Sequence, residues 1–83
     1  MNIKYFSWVK DQIGTETETI SISKDIKTEN DLILHLKTRS EKHKNALSDI
    51  SIIRCAVNME VVNFDKDINE QDEIAIFPPM TGG

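Results

Sequence analysis

Glycine is scarce in this chain: Gly14, Gly82 and Gly83 are the only three among 83 residues. A dinucleotide-binding G-x-G-x-x-G and a phosphate-cradling P-loop both need glycines close together, so neither is present and the chain has no familiar way to bind ATP. Cysteine is scarcer still. Cys55 stands alone, which rules out an internal disulfide, and its place in the apolar run Ile52-Ile53-Arg54-Cys55-Ala56-Val57 predicts a buried, unreactive thiol. His35 and His43 have neither a cysteine nor a second histidine at metal-ligand spacing; both are read as plain helix histidines, and no metal is expected. Asp65-Lys66-Asp67 begins like a calcium loop but lacks the required glycine, so a solvated loop is expected. No window approaches the roughly 18 apolar residues of a membrane span, and the N-terminus lacks a signal-peptide layout. The expectation is a cytoplasmic protein with no membrane partner.

What is present is the composition of a small folded domain, with 39% hydrophobic and 29% charged residues. The net charge is -4, and Asp65, Asp67, Glu70, Asp72 and Glu73 face only Lys66 in their stretch. Such a surface disfavours phosphate backbones, so nucleic acid is not an expected partner. The basic residues Lys37, Arg39, Lys42 and Lys44 read as a solvated helix face. No serine sits in a recognisable nucleophile elbow, and so small a core can hardly enclose a pocket. A self-contained enzyme is not expected.

Periodicity and breakers predict the order of elements. Met1 to Ser7, with Ile3, Tyr5 and Phe6, favours a strand. Trp8 to Ile13 reads as a short helix stopped by Gly14. Glu16 to Ser23 alternates Thr17, Thr19 and Ser21 with Ile20 and Ile22, as a half-buried strand does. Thr28 and Asp31 resemble a capping box, and Leu32, Ile33 and Leu36 follow at helical spacing, predicting the main helix from there to about Lys42 or as far as Leu47. Ile52 to Val57 is a third strand, Asn58-Met59-Glu60 a tight turn in which Asn58 tolerates positive φ, and Val61-Val62 the returning strand. Ile74 to Phe77 alternates in a last strand that Pro78-Pro79 ends. The order predicts an α+β fold, a mixed sheet with one main helix packed across one face and the terminal strands side by side. By analogy this is the ubiquitin-like β-grasp.

The ending, Ile76-Phe77-Pro78-Pro79-Met80-Thr81-Gly82-Gly83, is the least ordinary segment. At an average glycine usage near 7%, two final glycines occur by chance in roughly 0.5% of chains, so Gly-Gly alone is also compatible with a merely frayed terminus. The flanking residues favour a presented tail. Pro78-Pro79 stops the sheet and holds the exit extended, residues 78 to 83 reach at most about 20 Å, and glycine lets the backbone pass a narrow channel. The division expected is a β-grasp domain over 1–77 and a flexible tail over 78–83. If Ile74 and Ile76 face the core, Phe77 faces out, and Ile3 with Tyr5 inward places Phe6 out. An exposed aromatic pair at the root of the tail would suit a docking surface.

Ala56-Val57-Asn58 with Val61-Val62, followed by Asp72 through Gly83, resembles the small, sulfur-carrier subunits of molybdopterin synthase in the ubiquitin-like ThiS/MoaD superfamily. Tyr5-Phe6 through Ile13-Gly14-Thr15 is similar too, and F-P-P-x-[ST]-G-G is the most specific part. The resemblance implies that an E1-like adenylyltransferase, using its own ATP, activates the Gly83 carboxylate, and that a sulfur donor converts it to a thiocarboxylate. It implies a large catalytic subunit that takes in the tail, in a two-plus-two heterotetramer, and passes the sulfur to cyclic pyranopterin monophosphate in molybdenum cofactor biosynthesis. The chain itself would then be a non-catalytic donor subunit with no bound cofactor. The residues implied to meet partners are Phe6, Lys10, Phe77, Pro78, Pro79, Met80, Thr81 and Gly82. Met80 stands where the family often has Val, and Lys10 where it often has Arg, without the planar fork. The competing readings are a sulfur carrier for thiamin or tRNA thiolation, a ubiquitin-like protein modifier joined through Gly83, and an interaction domain with an inert tail.

Overall fold

A computed structural model describes residues 1–79. Strands β1 (Asn2–Tyr5), β2 (Thr17–Thr19), β3 (Arg54–Val57), β4 (Glu60–Val62) and β5 (Glu73–Phe77) form one sheet in the order β2-β1-β5-β3-β4. The two terminal strands pair in parallel at its centre, Ile3 beside Ile74 and Tyr5 beside Ile76. The other neighbours are antiparallel. Among the described residues three helices accompany the sheet, α1 (Ser7–Ile13), α2 (Glu29–Lys37) and α3 (Glu41–Ala46), with a 3-10 turn at Ile50–Ile52. This is the expected α+β arrangement.

One sheet face carries the core. Ile3, Tyr5, Ile74 and Ile76 are fully buried, together with Val9 of α1, Leu32, Ile33 and Leu36 of α2, and Leu47 and Ile53. Truncating such a side chain costs about 2 to 5 kcal/mol, so this layer holds the sheet in register. Gly14 closes α1 in the left-handed region at φ 91, its N–H donating to the Lys10 carbonyl at 2.8 Å; a Cβ there would strain the backbone. At the β3–β4 hairpin, Asn58 and Met59 have φ 50 and 72, the pair of positive values that a two-residue turn needs to match strand twist.

The main helix is two helices. The expected run from Thr28 toward Lys42 or Leu47 would be a rod of up to about 28 Å, whereas the longest strand spans about 17 Å. The chain breaks instead at Thr38-Arg39-Ser40. The Thr38 hydroxyl donates to the His35 carbonyl, and Ser40 Oγ accepts from the His43 N–H at 3.1 Å to start α3. That turn returns α3 against α1 and α2. The Thr28–Asp31 capping box is present in full. Three strands are shorter than expected. β1 covers Asn2–Tyr5 and not Met1 to Ser7, because α1 already starts at Ser7 with Phe6 as its N-cap residue. β2 covers Thr17–Thr19 and not Glu16 to Ser23: only these three residues pair in register with β1, flanked by backbone bonds from Tyr5 to Glu16 and from Ile20 to Met1. β3 starts at Arg54 and not Ile52, because Asp49 accepts from the Ser51 N–H and caps the 3-10 turn.

Candidate partner-docking face and root of the tail

The sheet has helices on one side only, and the strand register dictates what the other side shows. Lys4, Ala75, Ala56 and Val61 stand in a row across β1, β5, β3 and β4. One step toward the end of β5, Arg54 lies opposite Phe77. Phe6 extends β1 beyond its last paired residue, its N–H donating to the Ile76 carbonyl at 3.1 Å. The parallel pairing of the terminal strands thus brings Phe6 and Phe77 to the same end of the sheet, where the chain leaves it. Phe6 is 44% exposed and Val61 65%; Phe77, Ala75, Pro78 and Pro79 are half-buried. An apolar strip therefore runs from the root of the tail across three strands, open to solvent at Phe6 and Val61 and covered at Ala56 between them.

Lys10 is exposed on α1, the helix that follows Phe6 directly. Met80, Thr81, Gly82 and Gly83 lie outside the described residues, as does most of the expected tail. Val61 and Arg54 belong to the face although neither was singled out from the sequence. The period-two alternation that sets Ile74 and Ile76 inward marks both once the strand order is known.

Two side chains of reactive type, Cys55 and His43, lie in the core. The thiol of Cys55 is buried, and burial, assisted by the neighbouring Glu29 carboxyl, pushes it up to about 12. It is a protonated, unreactive group at neutral pH. His43, on α3 as a helix histidine, is also buried. Its Nε2 lies 3.0 Å from both Glu18 oxygens and its Nδ1 2.7 Å from Ser40 Oγ, and Tyr5 Oη donates to the same Glu18 carboxylate at 2.8 Å. Burial, then the bond to Glu18 and its charge, raises the Tyr5 hydroxyl well above its ordinary range. This cluster ties β1, β2 and α3 together. Arg39, assigned to a solvated face, reaches Glu18 at 3.8 Å. The signal for Glu18 was available: it shares the inward phase of Ile20. Among the described residues no group of three histidine, cysteine or acidic side chains is placed to hold a metal ion.

The ThiS family model matches residues 3–83. The molybdopterin synthase sulfur carrier subunit of Escherichia coli is 32% identical, over 100% of this chain and 99% of its own length. That of Dictyostelium discoideum is 37% identical, over 98% and 93%. Among solved structures, the putative molybdopterin converting factor subunit 1 of Pyrococcus furiosus superposes with a TM-score of 0.76 at 28% identity, covering 95% of both chains. SAMP1, small archaeal modifier protein 1 of Haloferax volcanii, gives 0.75 at 25% identity over 100% and 98%. A chain in the protein-protein complex of subunits 1 and 2 of the Helicobacter pylori molybdopterin-converting factor shares the fold, with a TM-score of 0.63 at 22% identity over 99% and 96%.

Proposed function

The chain belongs to the ThiS family, and on that premise we propose that it is the sulfur-carrier subunit of a molybdopterin synthase. The observation that carries the reading is a partly exposed aromatic root, with Phe6 exposed and Phe77 half-buried, continuing into the Phe77-Pro78-Pro79-Met80-Thr81-Gly82-Gly83 ending. In this reading Gly83 bears the free carboxylate. An E1-like adenylyltransferase activates it with ATP, sulfur replaces one carboxylate oxygen, and the thiocarboxylate is presented to a large catalytic subunit in a two-plus-two heterotetramer. There the sulfur passes to cyclic pyranopterin monophosphate. The carrier supplies the acyl group; the partners supply the nucleotide site and the pocket, which agrees with a sequence that has no glycine-rich phosphate loop.

Docking falls to the open sheet face, with Phe6, Ala75, Phe77 and Val61 at its apolar centre and Lys10 beside it. Aromatic side chains at a partly exposed site give large contact area for little entropy loss. A cytoplasmic location is part of the reading, and no helix among the described residues is long and apolar enough to cross a membrane.

Mass spectrometry of the intact protein isolated with its activating enzyme tests the reading, with deletion of Gly83 as the control. An oxygen-to-sulfur mass shift in the full chain, absent from a truncated chain that still folds by circular dichroism, is the expected result. Full sulfur loading of the truncated chain overturns it. The second reading, a protein modifier, is favoured by the likeness to SAMP1; it predicts a ladder of adducts on lysines of other proteins.

A further inference from the structure

Two cations lie on the open face of the sheet, and their surroundings differ. Lys4 has the Glu73 carboxylate 3.7 Å away. Arg54 is exposed and forms no ion pair among the described residues. Its Nη1 donates to the backbone carbonyls of Ser51 and Ile53 at 3.2 and 2.8 Å. Those bonds occupy one nitrogen of the guanidinium and orient the group, while the remaining donors of the planar fork have no partner among the described residues. The position is singular as well. Arg54 is the residue directly across from Phe77, the last strand residue before Pro78.

We propose that Arg54 is a specificity-determining contact for the large subunit, pairing with a carboxylate at the rim of the surface that receives the apolar strip. This rests on the sulfur-carrier reading above. The argument is charge complementarity. A chain of net charge -4 offers, beside the apolar root of its tail, a cation that no acid among the described residues pairs with. Apolar contacts around Phe6, Phe77 and Val61 are non-directional and would tolerate a small slide or rotation. A bidentate guanidinium–carboxylate pair is directional, and placed opposite Phe77 it fixes the angle at which the tail departs. A partner lacking that carboxylate would be bound without the correct register, and one with a cation there would be repelled.

The test is calorimetric binding of the full chain to the large subunit, comparing wild type, Arg54→Gln and Arg54→Lys at about 50 mM and about 500 mM salt, where screening lengths differ several-fold. Wild type should weaken as salt rises. Arg54→Gln should bind about tenfold more weakly at low salt and lose most of that salt dependence. Arg54→Lys should restore the salt dependence and only part of the affinity, because it keeps the charge without the fork. Unchanged urea melts separate a lost contact from a lost fold; should the glutamine variant melt early, the lysine variant carries the comparison. Arg54→Gln binding as tightly as wild type, with the same salt slope, overturns the proposal, as does weakening toward the activating enzyme alone. A wild-type chain with no affinity for the large subunit removes the carrier reading itself, and this proposal with it.

Discussion

Glu29 is the first residue of α2 and is 0% exposed, with no hydrogen-bond partner for either carboxyl oxygen. The loop after β4 folds over it: the Lys66 and Phe64 carbonyls accept the N–H groups of Glu29 and Asn30 at 3.0 and 2.8 Å. Burial is the main cause that moves its carboxyl from an ordinary 4.5 up to about 7; the nearby Cys55 thiol acts the other way, and the charge of Asp72 adds to the rise. The Cys55 thiol donates to the Val62 carbonyl at 3.6 Å, and neither Glu29 oxygen has a hydrogen-bond partner among the described residues. The start of a helix favours an anion by about 0.3 to 1 kcal/mol, too little to offset desolvation of a charge. Because the folded pKa is raised, the neutral acid is the form the fold prefers. The stability it contributes is complete below pH 4.5 and is lost as pH rises toward and through 7. The span is about 2.5 units at 1.36 kcal/mol each, on the order of 3 kcal/mol. A domain of this size has about 4 to 12 kcal/mol in all, so the loss is a large share.

Glu29→Gln keeps shape and polarity but cannot ionise. Urea unfolding at intervals from pH 5 to pH 8 should show wild type losing about 2 to 3 kcal/mol across the range while the variant stays nearly level, and the variant should be the more stable at pH 8. Asp31 and Asp49, both held low by hydrogen bonds from backbone N–H groups and the Ser51 hydroxyl, contribute stability that is lost only as pH falls below the ordinary carboxylate range. They do not interfere in this window. Equal slopes for wild type and variant would refute the assignment of a buried, unpartnered acid.

Two further outcomes concern the tail and its root. Phe77→Ala should weaken large-subunit binding more than it weakens the fold, since the ring is half-buried and on the face away from Ile74 and Ile76; urea melts should show less than the about 3 to 5 kcal/mol of a core phenylalanine, and the full core penalty would reverse that expectation. Gly82→Ile should block sulfur transfer in the large subunit even when the thiocarboxylate is prepared chemically, because a β-branched side chain restricts φ and χ1 and adds width where, on the proposed reading, the tail has to pass a narrow channel. Transfer at the unmodified rate would leave activation as the sole reason for the double glycine.

Local patterns along the chain determined a good deal: the capping box at Thr28, the left-handed stop at Gly14, the positive φ at Asn58, the inward phase of Ile3, Tyr5, Ile74 and Ile76, and the Phe-Pro-Pro approach to Gly-Gly. Each depends on a few neighbouring residues, so sequence alone carries it. Tertiary structure decided the rest. The break between α2 and α3 follows from the length of a sheet whose strands lie far apart in the chain. His43 is a core residue only because Glu18, 25 positions earlier, is brought to 3.0 Å by the pairing of β1 with β2. Glu29 is orphaned by a loop that begins more than thirty residues later. Arg54 gains its meaning from the antiparallel register of β3 with β5, which sets it beside Phe77. The burial and charge environment of a side chain is a sum over non-local neighbours, and periodicity along one strand can give its face but not what stands across from it.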